Sequence, residues 1–175
     1  MENKFIMTAF GKDRPGIVAQ IAQIIFENGC NLEDSNMGRL ADEFTLILLL
    51  SGKGGDIQEK LSKECKRLER EKDIFVFIRP LNYCISENKN SSSFCTIEVD
   101  GIDQAGIVYK ISSLLSDLDV NIETLKSQKR FSPNSGTALY SMAIKTKMPE
   151  KISMVELGDQ LENLAEELNV DITIK

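Results

Sequence analysis

Histidine and tryptophan are absent from the 175 residues, and the first absence narrows the chemistry at once. Without histidine the commonest acid–base residue is missing, as is one half of most activated-nucleophile pairs. A mixed Cys/His zinc site cannot be completed either. The four cysteines, Cys30, Cys65, Cys84 and Cys95, are spaced 35, 19 and 11 residues apart and form no C-x-x-C pair. No metal and no cofactor is therefore expected. Cys30 and Cys65 fall at apolar positions of expected elements, where a thiol acts as a small hydrophobe. Long apolar runs are also missing: none exceeds the five residues 46–50, against the roughly 20 that a membrane-crossing helix needs. The start of the chain carries an acid and passes directly into strand-like sequence, unlike a basic, apolar leader. The expectation is a cytoplasmic protein without a membrane partner.

Excess positive charge is lacking too. Twenty-one Lys and Arg stand against 27 Asp and Glu, for a net charge of −6 and a pI near 4.9. A nucleic-acid surface needs clustered positive charge. The densest basic stretch, 60–72, is interleaved with Glu59, Glu64, Glu69 and Glu71, the pattern of a solvated helix face with i,i+4 pairs. Direct nucleic-acid binding is not expected.

What the chain does contain is a repeat. Sliding the sequence by 90 residues lays Gly11, Asp13, Gly16, Ile17 and Val18 over Gly101, Asp103, Gly106, Ile107 and Val108. Ile21 then lies over Ile111, and Asn31 and Glu33 over Asn121 and Glu123. Eight of the 23 pairs from 11 to 33 are identical, where unrelated sequence would give roughly one or two. This is a duplication. Residues 82–93 between the copies are polar and read as a linker, giving domains at 1–81 and 94–175. Asn90 opens a glycosylation sequon that carries no weight without a secretion signal.

Each copy reads strand, helix, strand, strand, helix, strand. In the first copy, residues 5–10 form a strand. Ile17, Val18, Ile21, Ile24 and Ile25 follow at amphipathic helical spacing, and Asn28-Gly29 ends that helix. Strands over 31–38 and 43–50 join near Ala41-Asp42. Gly52 to Gly55 break the chain, without the frame of a phosphate-cradling loop. Asp56 then caps a helix with Ile57, Leu61, Cys65 and Leu68 inward, and a strand over 74–78 closes the unit. The second copy repeats this with a strand at 95–99, a helix at 104–118 and strands at 120–129 and 136–145. A helix burying Leu157, Leu161, Leu164 and Leu168 and a strand at 170–174 follow. Residues 131–136 form a longer turn between its middle strands. The order fits an α+β fold of two tandem ferredoxin-like βαββαβ units, each a four-stranded antiparallel sheet with two helices on one face. Residues 44–50 offer one polar break and 74–78 none, so both faces of the first sheet call for cover: one by helices, the other by a sheet or subunit.

The most informative residues are Asp13-Arg14-Pro15-Gly16-Ile17. Asp13 suits an N-cap, Pro15 a first helical turn, and Gly16 a close approach of ligand to backbone. The first turn presents unpaired N–H groups at the positive end of the helix dipole, a setting for a carboxylate. Asn31 adds an amide able to donate and accept. The same residues also serve a turn that binds nothing. In the second copy Asp103, Gly106, Ile107 and Asn121 hold the same offsets.

The βαββαβ order, with Asp-Arg-Pro-Gly-Ile at the first turn and Asn31-Leu32 opening the second strand, resembles ACT domains. Two such units in one chain of this length resemble the glycine cleavage system transcriptional repressor group. The resemblance implies a regulatory protein, not an enzyme, that binds a small amino acid such as glycine or serine. Binding would lie at an interface between ACT units, and the output would pass through a protein partner such as a transcription factor. A homo-oligomer through ACT sheets or helices is implied as well. The implied ligand positions are Asp13, Arg14, Pro15, Gly16, Ile17 and Asn31, and in the second copy Asp103, Gly106, Ile107 and Asn121. Gln104 and Ala105 replace the Arg-Pro pair, which makes the two sites unequal. Two other readings stand beside this one: a ligand-free interaction module, and an acylphosphatase-like hydrolase using Arg14 and Asn31, which rests on fold analogy.

Overall fold

In a computed structural model of the chain, residues 2–81 and 93–175 are described. The chain divides into two compact units, Met1–Ser86 and Glu87–Lys175. Residues 82–92 of the expected linker, with Cys84 and the sequon, lie outside the described residues, and Ser93 is the first residue of a strand.

The first unit runs β1 (Glu2–Lys12), α1 (Ile17–Glu27), β2 (Cys30–Leu40), β3 (Glu43–Lys53), α2 (Ile57–Lys72) and β4 (Ile74–Leu81). The second runs β5 (Ser93–Ile102), α3 (Ile107–Asp117), β6 (Asn121–Phe131), β7 (Ala138–Met148), α4 (Met154–Leu168) and β8 (Val170–Ile174). Each sheet is antiparallel with matching order, β2-β3-β1-β4 and β6-β7-β5-β8. These are two ferredoxin-like βαββαβ units. The strands extend beyond the expected bounds, because pairing with a neighbour holds polar ends such as Lys12 and Lys53 in the ladder. Gly52 and Lys53 accordingly belong to β3.

Alternation decides what each strand buries. Phe5, Met7 and Ala9 of β1 meet Phe44, Leu46, Leu48 and Leu50 of β3 in the first core. From α2, Ile57, Leu61, Cys65 and Leu68 point into it as expected. The second core gathers Ile97, Val99, Ile111, Leu115, Leu157 and Leu161, while Leu164 is only partly buried against it. Val18, expected inward, is 45% exposed. It adjoins Ile17 in sequence, and successive residues on a helix lie about 100° apart, so Ile17 takes the core and Val18 faces out.

Helices cover one face of the first sheet. On the other, Phe75 and Phe77 of β4 flank Phe10 of β1, with ring centroids 5.2 and 6.0 Å from that of Phe10. Phe77 is 63% exposed and Ile47 50%. β2 and β6 are edge strands, with ten of eleven residues exposed in β2.

Two glycines of the repeat answer to backbone crowding. A Cβ on Gly101 would lie 2.6 Å from Val170 Cγ1, and one on Gly11 would lie 2.9 Å from the Asp73 carbonyl oxygen. The first strand of each unit meets the start of the last strand there, and only a bare backbone fits.

Candidate functional site

Asp13 follows directly on β1, and its place in the sheet's end determines its role. Its amide donates to the Asp42 carbonyl at 2.7 Å. Its carboxylate lies 3.5 Å from Arg39 Nε on β2. It does not cap the helix: the N-cap of α1 is Gly16. The expected capping by Asp13 is thus corrected. Three residues separate it from Ile17, and its side chain is drawn to the β2–β3 end by a cation. Pro15 likewise lies in the turn ahead of the helix, since α1 begins at Ile17.

Gly16 adopts the left-handed conformation, φ 86° and ψ −1°. A side chain there is strained whatever the space. Space is in fact available: a Cβ on Gly16 would meet nothing within 4 Å. The Gly16 carbonyl accepts from Gln20 N–H at 3.0 Å, the first helical bond. Ile17 N–H reaches back to the Arg14 carbonyl at 3.4 Å, a long contact. The amides of Val18 and Ala19 precede the first i→i−4 acceptor and have no partner within the helix. Arg14 is half-buried and donates to Gln20 Oε1 at 2.8 Å.

The second unit repeats this backbone. Gly106 is the N-cap of α3 with φ 99° and ψ −8°, again with nothing within 4 Å of a Cβ. Lys110 N–H donates to its carbonyl at 2.9 Å, and Asp103 N–H to the Ala138 carbonyl at 2.9 Å. The Asp103 carboxylate pairs with Lys129, as Asp13 does with Arg39. Arg39 and Lys129 are 90 residues apart, so the duplication preserves this ion pair. Extending the repeat past residue 33 would have found it. Ile107, like Ile17, is buried and anchors the turn from below. The conformation survives replacement of Arg-Pro by Gln-Ala. It depends on the glycine, not the proline. Gln104 Nε2 donates to the Leu168 carbonyl, so the residue replacing Arg14 is tied to the end of α4.

Asn31 is not brought to this turn. It pairs with Ser51, which pairs with Lys4, whereas the turn follows Lys12. Eight strand residues separate those rungs, about 26 Å at ~3.3 Å per residue. Asn121 pairs with Lys147 at the corresponding end of the second sheet. The acylphosphatase-like pairing of Arg14 with Asn31 is therefore not assembled within a unit. A bulge next to Asn31 places Glu33 beside Lys4, at 2.8 Å. That hydrogen bond to Lys4, with a second from Ser51, holds the Glu33 carboxyl below its ordinary value.

Three grooves of the described residues lie elsewhere. One of about 130 Å³ separates α1 and α2 and includes Gln20, the partner of Arg14. One of about 400 Å³ separates α3 and α4. The third, about 500 Å³, lies by the β5–β8 end and is acidic, with Asp100, Glu162, Glu166 and Asp171. Among the described residues no group of three His, Cys, Asp or Glu could hold a metal ion. Among them, too, no helix is long and apolar enough to cross a membrane.

A family model for the ACT domain matches residues 3–78. The chain is 27% identical over 173 residues to the glycine cleavage system transcriptional repressor of Escherichia coli (strain K12), spanning 99% of this chain and 90% of the relative. It is 32% identical over 75 residues to a UPF0237 protein of Methanopyrus kandleri, 42% of this chain and 83% of that one. A crystal structure of an unknown protein from Galdieria sulphuraria superposes with a TM-score of 0.80 at 25% identity, covering 100% of this chain and 98% of that chain.

Proposed function

Because the chain belongs to the ACT-domain family, we propose that it is an amino-acid-binding regulatory protein whose ligand docks at the β1–α1 turn. One observation carries the reading. Both units present an exposed, left-handed glycine at a helix N-cap, with open space beside it and first-turn amides outside the helical ladder. Such amides, at the positive end of a helix dipole, suit a carboxylate. Asp13, on the same turn and partly exposed, is the acceptor at hand for the ligand's ammonium group. Glycine or serine is the expected ligand, a choice supported by the resemblance to a repressor of the glycine cleavage system. Asn31 and Asn121 join a site only where another copy of the chain brings one of them to a turn.

The resemblance to a named transcriptional repressor of the glycine cleavage system supports an output in transcription or metabolism. With a net charge of −6, that output passes through a protein partner, such as a transcription factor, and not through DNA contact. Catalysis is not proposed: the chain has no histidine, and Arg14 and Asn31 lie at opposite ends of the sheet.

Thermal unfolding in the presence of each of the twenty amino acids tests this. A ligand at a hundred times its dissociation constant adds about 2.7 kcal/mol to stability. Glycine or serine is expected to raise the melting temperature. In Gly16→Asn, which tolerates a left-handed backbone, the fold is expected to persist and the response to disappear. Gly106→Asn is expected to act more weakly. If no amino acid shifts melting, the proposed site is wrong.

A further inference from the structure

We propose that the open face of the first sheet joins two copies of this chain, face to face, with the twofold axis along the strands. The starting point is an asymmetry between the units. Gly11 pairs with Phe44 and Ile74, and Gly101 with Tyr140 and Val170, which sets the equivalence of the two sheets rung by rung. Where the first sheet's open face carries Phe10, Ile47, Leu49, Phe75 and Phe77, the second carries Asp100, Ala143, Lys145, Asp171 and Thr173. One backbone thus bears two surfaces. The second is polar and charged at those central positions and carries its exposed apolar residues, Phe94, Ile102 and Leu139, toward the strand ends, where the first has Lys4, Lys12 and Glu43. The first leaves phenylalanines exposed, which a surface facing solvent alone does not need.

The chemistry across the face selects a second copy as the occupant. One rung reads Asp34, Leu49, Ile6, Arg79 from edge to edge. Neither charged residue is in an ion pair among the described residues. A twofold axis parallel to the strands reverses strand order and leaves each rung opposite itself. Asp34 of one copy then faces Arg79 of the other, twice. By the same operation Gly38, on the rung with Thr45, Phe10 and Phe75, faces the partner's Phe75 and leaves room for its ring. A face with Glu98, Asp100 and Asp171, such as that of the second sheet, would bury carboxylates against phenylalanine and is a poor occupant.

The size of the contact sets its strength. Four strands at ~4.8 Å and about eight residues at ~3.3 Å give about 500 Å² per copy. The pair buries about 1,000 Å², the low end for a specific interface. The dimer is therefore concentration-dependent, as aligned sheet packing of this modest area would be.

Sedimentation velocity on the full chain, from about 1 to about 500 µM and without amino acids, reads this independently of ligand binding. The chain is expected to pass from monomer to dimer in that range, and Phe77→Asp to remain monomeric. Asp34→Arg and Arg79→Asp are each expected to weaken association about tenfold, and the double exchange to restore it. These side chains are exposed, so circular dichroism is expected to stay native. Should Phe77→Asp unfold, Phe77→Ser carries the same expectation. A wild-type chain that stays monomeric throughout would overturn the proposal. So would a dimer indifferent to position 77, or a double exchange that fails to restore it.

Discussion

Cys65 and Gly16 show two opposite ways in which one residue is constrained. Cys65 is 4% exposed on the inner face of α2, and burial pushes its thiol up to about 11. The thiolate is the nucleophile, so in the folded protein iodoacetamide is expected to modify Cys65 slowly at pH 8 and rapidly once urea unfolds the chain. Mass spectrometry of the Cys65 peptide reads both rates. The sign of the pH effect follows. The unfolded thiol ionises near its ordinary 9.0, whereas the folded one stays neutral to about 11. The contribution is whole below pH 9 and is lost between about pH 9 and 11, by about 2 to 3 kcal/mol. Cys65→Ala is expected to show a shallower loss of stability over that range in urea titrations. Cys65 was legible in the sequence from its spacing with Leu61 and Leu68. Gly16 was legible as a glycine the turn needs, but its reason was not. Whether it only leaves the backbone open to a ligand or also supplies a left-handed backbone depends on φ, and only coordinates carry φ. The same limit hid the role of Asp13. An acid ahead of a helix reads as a cap, and nothing local reveals that Arg39, 26 residues on, holds it to the sheet instead.

The elements themselves were more readable than their margins. Helical periodicity marked α1, α2, α3 and α4, and the Gly-x-Asp turn marked the end of β1 and of β5. Strand ends ran past the apolar residues that announced them, because a hydrogen-bonded ladder continues through polar pairs such as Lys12 with Glu43. Val18 was misread as core since a repeated valine at helical spacing looks buried. It and Val108 instead stand exposed beside the two turns, at 45% and 39%. At the crossing of β5 and β8 the constraint is packing alone. A methyl on Gly101 would lie 2.6 Å from the branched side chain of Val170 and 3.2 Å from its Cα. Gly101→Ala is therefore expected to cost about 1 to 3 kcal/mol, seen as a lower denaturation midpoint with an unchanged slope. Gly16→Ala meets no such contact, and its cost is the conformational ~1 to 2 kcal/mol of a left-handed residue.

At the scale of the molecule, duplication supplied two copies of one fold and divergence gave them different surfaces. The turns kept their backbone, so both units retain a helix tip with bare amides. The sheets did not keep their faces: phenylalanines in one unit stand where aspartates and a threonine stand in the other. The excess of apolar residues on the first sheet was visible in residues 44–50 and 74–78. The rung-by-rung contrast with the second sheet needed the pairing registers. Binding at the turn is open to one direct measurement. In a ¹H–¹⁵N correlation spectrum titrated with glycine and with serine, the amides of Gly16, Ile17, Val18 and Ala19 are expected to shift progressively and saturate, with smaller or no movement at Gly106 to Tyr109. Amides of the first turn that stay fixed through saturating additions of every one of the twenty amino acids would contradict a carboxylate site there.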